Sequence, residues 1–145
     1  MKRSDLPAPE AGLVLTHFIV VSDVSRSREF YRNLLEGQVI VGDNPVIVKA
    51  SNAWIIMNPG GPPTPDKPDV TLAVPDPGAN VSSFLNIRVA DLEATRTRLR
   101  AHGIEFLTDP WDRKAELRAY VRDPDGHLIE IGQMTGLLEG LHAPT

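Results

Sequence analysis

Apolar runs and polar punctuation follow one another along this chain in a definite order. Leu13 to Val21 is apolar and β-branched, which predicts a strand. Ser22 and Asp23 then offer a helix N-cap, Phe30, Tyr31, Leu34 and Leu35 fall on one helical face, and Gly37 stands where a C-terminal glycine would end the helix. Three short runs follow, "QVIVG", "PVIVKA" and "AWIIMN", separated by the turn-forming pairs Asp43-Asn44 and Ser51-Asn52. They read as a three-stranded meander.

The second half repeats that order. "VSSFLNIRVA" is a strand, Asp91 a cap, Leu92 through His102 a helix and Gly103 its stop, after which "IEFL", "AELRAYV" and "HLIEIGQ" read as strands. Laying Asp23 on Asp91 also brings "VVSD" onto "RVAD". A βαβββ unit therefore occurs twice, a period that points to internal duplication. Between the units, "NPGGPPTPDKPDVTLAVPDPGAN" holds seven of the thirteen prolines, too many for a helix or a central strand. It is either a semi-extended connector or a loop that closes on a ligand, and "VTLAV" within it suits a short edge strand. The expected organisation is a loose tail over 1–12, one domain over 13–133 (first unit 13–58, proline-rich linker 59–80, second unit 81–133) and a second tail over 134–145.

Composition narrows the function. A chain of 145 residues, 41% hydrophobic, suits one ordinary domain with a real core. Its net charge of −4 and the lack of a basic stripe argue against nucleic acid. No apolar run approaches spanning length or follows the opening basic residues as in a signal peptide, so we expect no membrane and a cytoplasmic setting. Cysteine is absent, which excludes disulfides and thiolate chemistry and fits a reducing compartment. No G-x-S-x-G elbow is present, and "NPGGPP" lacks the lysine and helix of a phosphate loop, so neither a hydrolase triad nor a nucleotide cofactor is expected.

The doubled βαβββ unit, "DVSRSREFYRNLLEG" in the first helix and the closing "RDPDGHLIEI" together resemble the vicinal oxygen chelate superfamily of glyoxalases, extradiol dioxygenases, fosfomycin-resistance enzymes and bleomycin-binding proteins. The resemblance spans about residues 13 to 133. It implies an α+β fold, two tandem βαβββ units forming a cup from a pair of four-stranded half-barrels. It also implies a homodimer, whose partner surface Leu137, Leu138 and Leu141 would cover unless they pack on their own sheet. One scaffold serves lyases, oxygenases and metal-free binders, so the fold does not select the chemistry.

In that superfamily, inward residues of the first and last strands of each unit hold a divalent metal that a substrate chelates through two oxygens. Glu130 occupies the position of the acidic ligand in "DGHLIEIG", and by period two it faces away from Ile129 and Ile131. It is a metal ligand, a contact to substrate, or a strand carboxylate paired with an arginine. The family histidine stands seven positions before the capping Asp, which is Thr16 here, whereas His17 stands six before. His17 is thus either a ligand reached through a bulge or a histidine packed between sheet and helix. In the second unit that position is Phe84, and running without gaps from Val48 matched to Val121 puts the first unit's acidic position on Met57; neither suits a hard cation. Glu116 is a possible third ligand, or else an ion pair with Arg118 or Arg88. His127 is expected near the rim, His102 at a helix C-terminus and His142 in the tail.

The same alternation gives the cavity a mixed wall. Phe84, Asn86 and Arg88, with Arg118, Tyr120 and Trp54, would present guanidinium forks, amide and hydroxyl donors and aromatic faces to a small oxygenated, aromatic or carboxylated molecule, unless the arginines only solubilise an edge. Two functions follow. One is binding without metal, or metal-free acid–base catalysis by Glu130 and Tyr120. The other is a metal-dependent lyase or dioxygenase in which His17, Glu130 and Glu116 hold the ion.

Overall fold

The structure, a computed structural model, describes residues 1–135. It comprises two compact units, Met1–Pro77 and a second beginning at Gly78, and each carries one four-stranded sheet and one helix. The expected leucines Leu137, Leu138 and Leu141, and His142, lie outside the described residues.

In the first unit, β1 (Thr16–Val20) leads to α1 (Val24–Leu35), then β2 (Gln38–Gly42), β3 (Val46–Ala50) and β4 (Ala53–Asn58), in the sheet order β1-β4-β3-β2. Asp23 caps α1 by accepting the Arg26 N–H at 3.0 Å. Ser27, Tyr31 and Leu34 form its buried stripe, over the face of the sheet that carries Ile19, Val46, Val48, Ile55 and Met57. The helix end differs from expectation. Glu36 takes the left-handed conformation at φ 49, and Gly37 follows it, donating its N–H to the Arg32 carbonyl at 3.0 Å. Gly37 serves close packing instead, because a Cβ there would sit 2.6 Å from Val48 Cγ1.

The segment 1–12, expected as a tail, holds a 3-10 turn at Arg3–Asp5, to which Trp54 Nε1 and Lys49 Nζ donate through the Asp5 and Ser4 carbonyls, each at 2.8 Å. The proline-rich segment folds back on itself, with a bridge between Gly61 and Leu72. Gly60, at φ +74, is required there, since a Cβ would meet the Leu72 carbonyl oxygen at 2.3 Å. "VTLAV" contributes this single bridge rather than an edge strand.

The second unit runs β5 (Leu85–Arg88), α2 (Leu92–Ala101), β6 (Trp111–Asp112), β7 (Glu116–Arg122) and β8 (Leu128–Met134), in the order β5-β8-β7-β6. Asp91 caps α2 on the Ala94 N–H at 3.0 Å. Gly103, at φ +78, ends it, with the Gly103 and Ile104 N–H groups closing on the Arg100 and Leu99 carbonyls. Buried Leu92 and Leu99 belong to this helix, and Ala119, Val121, Ile129 and Ile131 to the sheet face beneath it. "IEFL" is not a strand. Phe106 makes one bridge to Val121, and the edge strand is instead the two-residue Trp111–Asp112.

Candidate functional site

Register builds the site on the face of the second sheet opposite α2. Asn86, Glu130 and Tyr120 stand side by side across β5, β8 and β7, and the next row holds Arg88, Gly132, Arg118 and, on β6, Trp111. Glu116 lies one step further along β7, opposite Met134. Period two thus puts Glu116, Arg118 and Tyr120 on one face and Leu117, Ala119 and Val121 on the other, as the alternation of "AELRAYV" predicts.

Glu130 is 4% exposed, so its carboxylate needs partners to offset lost hydration. It has four. Asn86 Nδ2 donates to Oε2 and the Tyr120 hydroxyl to Oε1 at 3.2 Å, while the Arg88 and Arg118 guanidiniums lie 3.9 and 4.0 Å away. Burial, then the Glu130 charge and its hydrogen bond, push the Tyr120 phenol above its ordinary value of 10.0, so it remains a donor at neutral pH. Glu116 draws on the same arginines, at 2.5 Å from Arg88 Nη1 and 3.5 Å from Arg118 Nη1. Phe84, just before β5, is 43% exposed and meets the Tyr120 ring edge to face at 6.1 Å. A buried acceptor thus sits beneath a more exposed rim of two guanidiniums and an aromatic ring.

Sequence reasoning missed two contributors. Gly132 leaves room for Arg88, since a Cβ there would stand 2.3 Å from Nη1. Trp111, 62% exposed beside Arg118 and with the Arg113 guanidinium 5.4 Å from its ring, sits in a stretch whose polarity hid a strand; a lone tryptophan in polar sequence was the available signal.

Two expected residues belong to the first unit. Trp54 is buried, its indole bonded to Asp5 and 5.5 Å from the Lys49 ammonium, and with Arg3, Leu6, Pro9 and Val14 it lines a cleft of about 290 Å³. His17 pairs with Ile55, and β1 runs beside β4 one for one from Thr16 to Val20 without a bulge. His17 therefore shares the α1 side of the sheet with Ile19, and Thr16 and Phe18 take the opposite face. Met57 needs a correction too. Val48 pairs with Ile55 and Val121 with Ile129, so the residue equivalent to Glu130 is Ile56, and Met57 is fully buried on the α1 side. The turn before β4 is one residue shorter than that before β8, and the gapless comparison slipped by that residue.

A model of the glyoxalase/bleomycin resistance protein/dioxygenase superfamily matches residues 14–131. The chain belongs to this superfamily. Solved structures of similar fold include an integron cassette protein from the mobile metagenome of V. cholerae (18% identity, 87% of this chain and 98% of that one, TM-score 0.65). Others are the antibiotic-binding protein TnmS3 from Streptomyces sp. CB03234 (18%, 88% and 100%, 0.62) and the fosfomycin resistance protein FosX from Mesorhizobium loti (17%, 90% and 97%, 0.61). No curated protein matches the chain.

Superfamily members often hold a divalent metal, and the donors present here do not fit one. Among the described residues no three His, Asp or Glu side chains gather into a metal-holding group. Thr16, Ile56 and Phe84 fill three of the four ligand positions, and the two carboxylates of the second sheet already face two guanidiniums. No helix of the described residues is long and apolar enough to cross a membrane.

Proposed function

We propose that the open face of the second sheet binds a small oxygenated molecule, aromatic or carboxylated, without a metal ion. The observation that carries this is Glu130: a buried carboxylate whose oxygens accept from Asn86 and Tyr120 and lie near Arg88 and Arg118 is satisfied by protein donors alone. Arg88 and Arg118 offer the ligand their remaining N–H groups, Phe84 and Tyr120 an aromatic wall, and Glu130, held by Asn86 and Tyr120, a buried carboxylate beside both arginines. The antibiotic-binding and fosfomycin-resistance proteins among the structures of similar fold support a ligand-holding role. We take the protein to act in the cytoplasm and as a homodimer; light scattering checks the dimer.

Calorimetric titration of small aromatic carboxylates and neutral oxygenated aromatics, in the presence of a chelator, tests the proposal. Binding is expected in wild type. Arg118→Met should weaken it at least about tenfold, the loss expected for one charge-assisted hydrogen bond of about 1.5–3 kcal/mol. Binding that appears only after a divalent metal is added overturns it.

A further inference from the structure

We infer that Glu116 is an internal occupant of the ligand's anion position, which an anionic ligand must displace; the inference rests on the binding proposal above. The two carboxylates of this face are held differently. Glu130 is 5% exposed in its side chain and is anchored by two neutral donors, Asn86 and Tyr120, besides its arginines. Glu116 is 20% exposed, and its carboxylate has no hydrogen-bond or ion-pair partner among the described residues except Arg88 and Arg118.

Each Glu116 oxygen faces a different guanidinium, Oε2 that of Arg88 at 2.5 Å and Oε1 that of Arg118 at 3.5 Å. A ligand carboxylate seeking both forks would adopt this same arrangement. Arg88 reaches it only because β8 has Gly132 where the guanidinium crosses. The arginines are 45% and 30% exposed, so an incoming group reaches them from solvent, whereas Glu130 is closed off beneath.

Charge balance gives the consequence. Two guanidiniums and two carboxylates make the cluster neutral, and a bound anion adds an uncompensated negative charge unless one carboxylate leaves. Glu116, the more exposed and less anchored, is the one that can swing into water at low cost. Glu116 thereby sets specificity: it raises the affinity an anion must have to bind and leaves neutral oxygenated rings unhindered.

Calorimetry with benzoate and its neutral isostere benzamide, on wild type, Glu116→Gln, Arg88→Met and Arg118→Met, tests this, with melting curves confirming that each variant folds. Glu116→Gln should tighten benzoate about tenfold, as for removal of one like charge in a largely solvated setting, and leave benzamide within about twofold. In wild type uniformly labelled with carbon-13, benzoate should shift the Glu116 carboxylate resonance and leave that of Glu130 in place. The inference is overturned if Glu116→Gln binds benzoate no tighter than wild type while either arginine variant still weakens it. It is overturned as well if benzoate binds no form while benzamide binds; if neither compound binds any form, or both bind equally to the arginine variants, the binding proposal itself falls and this inference with it.

Discussion

Replacing Glu130 with leucine keeps a branched side chain of similar reach, slightly bulkier, and removes the acceptor at the centre of the face. The Tyr120 hydroxyl loses its acceptor in a part-buried setting, which costs about 1–3 kcal/mol, whereas Asn86 is exposed and turns its amide to water. Arg88 and Arg118 lose a counter-ion at 3.9 and 4.0 Å, but both are partly exposed and retain Glu116, so their loss is small. The arginines left behind are neither buried nor uncompensated, so the loss of the Tyr120 acceptor dominates and the cost is about 2 kcal/mol. For a chain of 145 residues this corresponds to a fall in Tm of roughly 6 °C. Thermal melting by circular dichroism at neutral pH reads it directly. Glu130→Gln should cost about 1 kcal/mol, since the amide keeps one acceptor and both donors can turn. A leucine variant as stable as wild type would refute the reasoning, because it would mean that the four partners do not hold the carboxylate.

Three further outcomes follow from particular contacts. Folding raises the Tyr120 pKa above 10.0, so the protonated phenol is favoured in the native state; its contribution is complete below pH 10 and lost as pH climbs through the folded value. The phenolate absorbance difference between wild type and Tyr120→Phe should therefore appear above pH 10, and an ordinary tyrosine titration would contradict the site's geometry. Gly37→Ala places a Cβ 2.6 Å from Val48 Cγ1 and 3.1 Å from the Lys49 carbonyl oxygen, and should cost about 1–3 kcal/mol in urea unfolding. Trp54→Phe removes the bond to the Asp5 carbonyl, about 1 kcal/mol, and should speed hydrogen exchange at the Asp5 and Leu6 amides of the N-terminal turn.

Periodicity carries the parts of the fold that bury a stripe. Asp23 and Asp91, each before an amphipathic run, locate both helices, and the alternation of "AELRAYV" orients Glu116, Arg118 and Tyr120 correctly. Features that depend on one residue of register or on a tertiary neighbour were not legible. Ile56 rather than Met57 matches Glu130 because two turns differ by one residue, and alternation turns that single step into the wrong face. The direction of His17 depended on whether β1 carried a bulge, which nothing in "LTHFIVV" encodes. "IEFL" has strand composition but makes a single bridge, Phe106 to Val121, with the Leu107 N–H on the Tyr120 carbonyl, whereas Trp111–Asp112 pairs with β7 on two residues too few to show a period. Gly132 looks like any strand glycine until Arg88 is seen to cross it.

On the binding proposal, protein donors rather than a metal ion satisfy the Glu130 carboxylate. Elemental analysis of protein purified without chelator, paired with melting curves in added Ni, Mn, Fe and Zn, tests it most directly. We predict far less than one equivalent of any metal and a Tm indifferent to all four ions. One equivalent of bound metal that raises the Tm and is lost in Glu130→Gln would contradict it.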